Sequence, residues 1–347
     1  MVPLYQGALP YVLLFFSMCL FYPMYTAGFS ATSTFEDPVG TQFGLKALAL
    51  NGLTVAAATR SETFVDAENG ATVHTGPQVK LYNISNEGKN ITFTQVLTFN
   101  HSGSIHQETR SPGVFIAGNT LLCTIRMDDK QEYNSGTAYI YHRDNLTATF
   151  RLHTQLYPPY PGRNLYFGVT GHLAYHDIFI GTSNKTVYSY HYDNVTSQWD
   201  LIEAIQPPAG KYGNANLSTG NFGVGFATYH EDITMITDFQ DMTAAIAAGA
   251  VHVYRRNGAG RWLWNQTLLP TLVTIGAQFG YGIASSPSGV MIAQLSTGST
   301  SDRNSLLSWY QLDPSSASFV FTSRVTLSTD GMTLSGLRNI QLADPGG

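Results

Sequence analysis

The chain contains 347 residues with a formal net charge of −5, and charged residues make up only 12% of it. These values exclude an intrinsically disordered chain, and without a dense run of Lys or Arg no nucleic-acid partner is expected. The 20 Tyr, 19 Phe and 33 Gly instead indicate β-strands joined by tight turns.

The N-terminal segment has the features of an export signal. An apolar run without charge extends from Leu9 to Tyr22, and the small residues Thr26-Ala27-Gly28 follow it. This pattern predicts a signal peptide over residues 1–28 and a mature chain over 29–347. The alternative is an uncleaved anchor, because the run approaches the length of about 20 residues that crosses a bilayer. Pro23 and the short apolar core favour cleavage.

Glycosylation sequons support export independently of the N-terminus. Asn-x-Ser/Thr triplets begin at Asn83, Asn90, Asn100, Asn145, Asn184, Asn194, Asn216 and Asn265. In a secretory protein each such asparagine needs a surface position. The sequence therefore predicts a glycoprotein that is secreted or exposed at the cell surface.

A repeated pattern of strands begins at Phe-Gly pairs. These pairs occur at Phe43, Phe167, Phe222 and Phe279, with a degenerate copy from Gly113. Each starts a strand, a short turn and a second apolar strand. A third strand that ends in an aromatic residue, a polar turn and a fourth strand come next. The repeats thus start near 43, 113, 167, 222 and 279, with a partial copy from 331.

Four short strands repeated at a nearly constant spacing predict an all-β chain, a β-propeller of four-stranded blades. A β-sandwich has similar strands but does not repeat its motif at a fixed period. The glycine after each phenylalanine predicts close backbone packing, and the phenylalanine is expected to wedge between neighbouring blades.

The repeat resembles the FG-GAP repeat of integrin-α-like β-propellers. The best copy runs from Gly249 through Val251-His-Val-Tyr254 and Trp262 to Phe279-Gly280, and the resemblance covers about residues 40–340. It implies an extracellular propeller, commonly of seven blades. The partial copy from 331 is therefore either a blade that residues 29–40 complete, or the sign that this chain is the N-terminal part of a longer protein. The usual seven blades favour the second alternative.

Many members of this family carry an Asp-x-Asp-x-Asp-Gly calcium loop between the first two strands, and this chain does not. Its first turns are too poor in oxygen ligands for calcium, so no metal and no cofactor are predicted. Cys123 lies in the apolar run Thr120–Ile125. It is the one cysteine outside the predicted signal, which predicts a buried, inert thiol.

Catalytic motifs such as Gly-x-Ser-x-Gly, His-Glu-x-x-His or Cys-x-x-Cys do not occur, so no catalytic residue and no enzyme activity are predicted. Tyr-His dipeptides at 141, 175, 190 and 229 fall at matching repeat positions, and repeat ancestry explains them better than a metal site. The acidic pairs Asp128-Asp129 and Asp238 with Asp241 lie between second and third strands. A solvated loop is the simpler interpretation than paired glycosidase carboxylates.

The leading hypothesis from sequence is an extracellular interaction module, the head of an adhesion- or receptor-like protein. A protein or carbohydrate ligand is expected on the face with the longer and more varied loops. Tyr and Arg residues in these loops are the first candidates, because these residue types often dominate binding energy at interfaces. The candidate contact residues are Arg110, Asp128, Tyr160, Arg163 and Tyr212. Two alternatives remain open: a propeller-borne polysaccharide hydrolase or lyase, and a lectin.

Overall fold

The computed structural model describes most of the chain between residues 48 and 327, namely 48–51, 53–59, 62–65, 72–85, 90–99, 112–208, 221–295 and 305–327. These residues are all-β, and the chain divides into two compact units, residues 1–173 and 174–347. The predicted signal peptide 1–28, the repeat start at Phe43 and the partial copy from 331 lie outside the described residues.

The first unit contains two four-stranded antiparallel sheets. Its strands are β1 (Leu48–Asn51), β2 (Thr54–Thr59), β3 (Glu62–Val65), β4 (Thr72–Thr75), β5 (Gln78–Ile84), β6 (Ile91–Thr98), β7 (Gly113–Ala117), β8 (Thr120–Ile125), β9 (Thr137–His142) and β10 (Arg151–Leu156). Sheet 1 has the order β1-β2-β5-β6 and sheet 2 the order β10-β9-β8-β7. Strands β3 and β4 form a separate hairpin between β2 and β5.

Three more four-stranded sheets follow, and β11 lies at the boundary between the units. Their strands are β11 (Thr170–Ala174), β12 (Asp177–Gly181), β13 (Val187–Asp193), β14 (Gln198–Ile205), β15 (Phe222–Tyr229), β16 (Ile233–Asp238), β17 (Ala250–Arg256), β18 (Trp262–Leu268), β19 (Gly282–Ser286), β20 (Gly289–Gln294), β21 (Ser305–Asp313) and β22 (Ser318–Leu327). Sheets 3, 4 and 5 each follow chain order. The predicted four-strand repeat is therefore confirmed as five four-stranded antiparallel sheets. Among the described residues, no helix is long and apolar enough to cross a membrane.

Burial within each sheet follows the sequence pattern of its strands. The second strands are apolar on both faces; β12 and β16, for example, are buried along their whole length. The fourth strands β10 and β14 expose half of their residues. An uninterrupted apolar run is typical of a strand covered on both faces, whereas a mixed run suits the outer edge of a sheet.

Two Phe-Gly pairs, at Phe167 and Phe279, pack against glycines of the preceding repeat. Phe167 N–H donates to Ser135 O at 2.9 Å, and Phe279 N–H donates to Ala248 O at 2.7 Å. A Cβ atom on Gly249 would lie only 2.2 Å from Phe279 O, and the φ angle of this glycine is +85°. Gly136 has the same relation to Phe167, at 2.1 Å and +87°. The predicted close backbone packing is thus confirmed.

A glutamine side chain links successive fourth strands within each unit. Gln266 Nε2 donates to Phe319 O at 2.9 Å, and Phe319 N–H donates to Gln266 Oε1 at 2.8 Å. Gln95 binds the two backbone groups of Phe150 in the same way, at 2.8 and 2.9 Å. One amide side chain satisfies a donor and an acceptor that the outer edge would otherwise leave to water.

We expect Gly249→Ala to destabilise the protein by about 2–4 kcal/mol, because an L-residue is strained at this φ and the new Cβ would displace Phe279. Urea unfolding measures the change. The matched control is Gly258→Ala in an outer hairpin, where no atom lies within 4 Å of the position of the Cβ. Its effect should stay within about 0.5 kcal/mol. Equal losses in the two variants would contradict the packing argument.

Candidate active site

The register of sheet 3 brings a carboxylate to an imidazole. Asp177 is the first residue of β12, after the turn Tyr175-His176, and it pairs directly with His191 on β13. Paired residues of antiparallel strands project side chains from the same face, about 5 Å apart. His191 Nδ1 accordingly lies 2.9 Å from Asp177 Oδ1.

Arg256 completes this group from sheet 4. It is the last residue of β17, its guanidinium forms an ion pair with Asp177, and Nη1 lies 3.4 Å from His191 Nδ1. The guanidinium also lies over the ring of Trp262, 4.6 Å from its centroid. Asp177, His191 and Arg256 are called the Asp–His–Arg cluster below.

The three members of the cluster differ in exposure. The side chain of Asp177 is 3% exposed, that of Arg256 20% and that of His191 37%. The carboxylate is therefore shielded from water while the imidazole reaches solvent. A carboxylate that accepts a hydrogen bond from Nδ1–H fixes the tautomer in which Nε2 is unprotonated and accepts a proton.

The other sheets show which parts of the cluster are common to the repeat. Arg143, the counterpart of Arg256, lies over the Phe150 ring at 4.6 Å and donates to Thr54 Oγ1 at 3.1 Å. The cleft beside it is lined by Thr54, Asn83 and Phe150, among others, and by no acidic residue or histidine. An arginine packed on an aromatic ring is thus a shared packing feature.

The Asp–His pair differs from its counterparts in the neighbouring sheets. The corresponding paired residues are Thr54 and Asn83 in sheet 1, Thr120 and His142 in sheet 2, and Ile233 and Arg255 in sheet 4. Across sheets 1 to 4, in the residues that the structure describes, a carboxylate faces an imidazole at this register in sheet 3. This pair is what sets sheet 3 apart chemically.

Further polar and aromatic groups lie around His191. Asp200 on β14 pairs with it on the other side, so Asp177, His191 and Asp200 cross three strands in one row. The His176 ring lies 6.3 Å from the His191 ring. Tyr192 and Trp199, in the next row, form an aromatic pair with ring centroids 5.2 Å apart on the other face of the sheet.

The predicted contact residues do not form one site in the described chain. Arg110 and Tyr212 lie outside the described residues. Tyr160 is 80% exposed, and Arg163 lies over the Tyr133 ring at 5.1 Å. The placement of Asp128 at a contact surface is wrong, because it is fully buried and Tyr139 O–H donates to its Oδ2 at 3.1 Å.

The burial of Cys123 and of the acidic pair Asp238 and Asp241 tests two further predictions from the sequence. Cys123 is buried, as predicted, and burial raises the pKa of its thiol. The interpretation of Asp238 and Asp241 as a solvated loop is wrong, since both side chains are buried.

Of the sequons, Asn100 and Asn216 lie outside the described residues and Asn83 is half-buried, while five are exposed: Asn90, Asn145, Asn184, Asn194 and Asn265.

The sequence contains a weak signal for the Asp–His pair that motif searches miss. Asp177 and His191 are each four residues from the paired ends of the β12–β13 hairpin, Gly181 and Val187. Equal spacing from a hairpin predicts cross-strand contact once the turn is placed. Arg256 carries no such signal, because it comes from another sheet.

No family model matches the chain, and no curated protein matches it. Similar solved structures include a protein from Lactobacillus plantarum, with 12% identity and a TM-score of 0.46, covering 80% of this chain and 83% of that chain. A periplasmic gluconolactonase of Pseudomonas aeruginosa has 12% identity and a TM-score of 0.44, covering 80% and 71%. A Bacteroides fragilis protein provisionally named 6-phosphogluconolactonase has 11% identity and a TM-score of 0.44, covering 80% and 82%.

These names correct the function predicted from sequence. Two of the three structures are named as lactonases, which are enzymes, and none is named as an integrin or adhesion protein. The prediction of a non-enzymatic adhesion- or receptor-like module is therefore wrong, and so is the prediction that the chain is not an enzyme. The FG-GAP assignment stays a prediction, since no family model matches.

Proposed function

We propose that the chain is a hydrolase that cleaves ester or lactone bonds, with His191 as the general base. The observation that carries the proposal is the hydrogen-bonded pair of His191 and the buried Asp177. A partly exposed imidazole oriented by a shielded carboxylate is the usual means of activating water at neutral pH.

The reaction follows from the protonation states of the pair. Nε2 of His191 takes a proton from a water molecule, and the resulting hydroxide attacks the substrate carbonyl carbon. The negative charge of Asp177 stabilises the imidazolium that forms. Collapse of the tetrahedral intermediate breaks the C–O bond, and the proton passes from His191 to the leaving oxygen. One water is consumed, and an acid and an alcohol result.

Positive and donor groups beside His191 suit the oxyanion of such an intermediate. The Arg256 guanidinium lies against the pair, and packing on Trp262 limits its movement. The exposed His176 offers a second imidazole on the same side of the sheet. Donors that are already in place stabilise developing charge without further reorganisation.

The surroundings favour a carbonyl substrate over a glycosidic bond. Glycoside hydrolysis needs two carboxyl groups that both reach the substrate at a defined separation. Here Asp177 is buried and paired with Arg256, so among the acidic residues of the row only Asp200 is exposed.

The wider setting is part of the same proposal. The five sheets are blades of a β-propeller of the FG-GAP type, and the protein is exported with residues 1–28 removed or kept as an anchor. Four-stranded antiparallel units and the exposure of five described sequons support this view.

Expression in eukaryotic cells tests export. We expect a secreted product that begins near residue 29 and loses mass when N-glycans are removed enzymatically. Retention of the N-terminal segment with glycans present would select the anchor alternative. An unglycosylated protein in the cytosol that still carries Met1 would refute export.

We expect His191→Asn to lower kcat/KM by about 10²–10⁴-fold on the best substrate in a panel of aryl esters, sugar lactones and acetylated sugars, because the water loses its base. The matched control is His142→Asn, since His142 occupies the same register in sheet 2 but faces Thr120. It should retain full activity. Circular dichroism confirms folding of both variants. Equal activity of His191→Asn and wild type, or no turnover of any substrate, would refute the proposal.

A further inference from the structure

A second cluster of ionisable side chains lies in sheet 4, apart from the Asp–His–Arg cluster. Asp238 ends β16, Asp241 lies three residues further on, and His252 lies on β17. All three side chains are buried, and one potential ligand atom from each lies within 4.8 Å of the others. We infer that Asp238, Asp241 and His252 bind a divalent transition-metal ion of the zinc type.

One carboxylate oxygen in this cluster lacks a hydrogen bond. Asp241 Oδ1 accepts from Thr243 N–H at 2.7 Å, but Asp241 Oδ2 has no hydrogen-bond partner among the described residues. Asp241 is only 1% exposed. A buried carboxylate oxygen without a donor is costly, and coordination of a cation removes that cost.

Sheet 2 provides an internal comparison, because its loop has the same backbone hydrogen bonds. Gly249 N–H donates to Asp241 O and Gly136 N–H to Asp128 O, both at 3.0 Å. Asp128 is therefore the counterpart of Asp241. Tyr139 lies three residues after Gly136, and His252 lies three residues after Gly249, so these two residues correspond as well.

The carboxylate of sheet 2 is satisfied by protein groups alone. Asp128 Oδ2 accepts from Tyr139 O–H at 3.1 Å, and Oδ1 accepts from Lys130 N–H at 3.2 Å. The Lys130 ammonium donates to the same phenol at 2.9 Å and supplies a nearby positive charge. Sheet 2 thus balances one buried carboxylate with one cation of its own.

Sheet 4 changes this balance at three corresponding positions. Asp238 replaces Ile125, since Asp241 N–H donates to its carbonyl as Asp128 N–H does to that of Ile125. Thr243 stands in place of Lys130, and His252 in place of Tyr139. The cluster therefore gains a carboxylate, loses a lysine and acquires a metal-binding side chain. Two buried carboxylates this close favour a bound cation.

The donor set determines the class of metal. His252 Nδ1 lies 3.0 Å from Thr267 Oγ1, so a metal would be bound through Nε2. Two carboxylates with an imidazole suit Zn²⁺, Mn²⁺ or Co²⁺, whereas Ca²⁺ and Mg²⁺ prefer oxygen ligands alone. Metal–ligand bonds of about 2.0–2.2 Å place the ligand atoms of a tetrahedral site about 3.4 Å apart, so these atoms, which lie within 4.8 Å of one another, move closer together when metal binds.

A metal here would stabilise the loop that positions Phe279. The loop between β16 and β17 ends at Gly249, against which Phe279 packs. Binding would therefore raise the stability of sheet 4 without involving His191. The proposed metal site can therefore be tested independently of the proposed hydrolase activity.

Metal binding is measured by isothermal titration of the metal-stripped full chain with ZnCl₂ and MnCl₂, together with the melting temperature. We expect one site per chain and a melting temperature several degrees higher with metal, since ligands that bind the folded state stabilise it. Asp241→Asn should weaken binding by about 100-fold or more. Asp128→Asn, the matched control in sheet 2, should leave the metal affinity unchanged.

A second variant keeps the test decisive if Asp241→Asn does not fold. His252→Tyr reproduces the side chain found in sheet 2, so it should fold, melt at or above the temperature of the metal-free wild type and no longer bind metal. The inference is overturned if wild type binds no transition metal, or if both His252→Tyr and Asp241→Asn bind it with wild-type affinity. Binding of Ca²⁺ in preference to Zn²⁺ would equally overturn it.

Discussion

The backbone contact of Phe279 with Gly249, repeated between Phe167 and Gly136, is the constraint that places the β17 residues of both side-chain clusters. Phe279 O approaches Gly249 so closely that no other residue fits, and Phe167 approaches Gly136 in the same way. These glycines begin the third strands, so their position fixes where β9 and β17 start. The residues along β17 that reach both clusters, His252 and Arg256, are placed by this one contact.

Because the backbone repeats so closely, differences in side chains at corresponding positions are informative. Arg143 and Arg256 both lie over an aromatic ring, which identifies this contact as packing. Asp177 and His191 instead replace Thr54 and Asn83 at an unchanged register, and they add a base where sheet 1 has none. Chemistry is thus introduced at few positions while the strand register stays the same.

The sequence predicts the strands well and the sites poorly, for a physical reason. Aromatic strand ends and Phe-Gly pairs recur along the chain, so the four-strand unit is visible without a structure. The Asp–His–Arg cluster depends on a cross-strand pair and on Arg256, which is 65 residues from His191. Such groups leave no contiguous motif, and the lack of a motif was a poor basis for predicting a non-enzyme. The burial of Asp238 and Asp241 follows from sheet packing that local polarity does not reveal.

The tautomer of His191 tests the central claim most directly, because a general base needs an unprotonated Nε2. Side-chain ¹⁵N NMR at about pH 8.5, where an ordinary imidazole is neutral, assigns the proton to one ring nitrogen. We expect His191 to carry the proton on Nδ1, directed at Asp177, and Asp177→Asn to alter this preference. A neutral His191 that carries its proton on Nε2 in the wild-type protein would rule out its role as the general base.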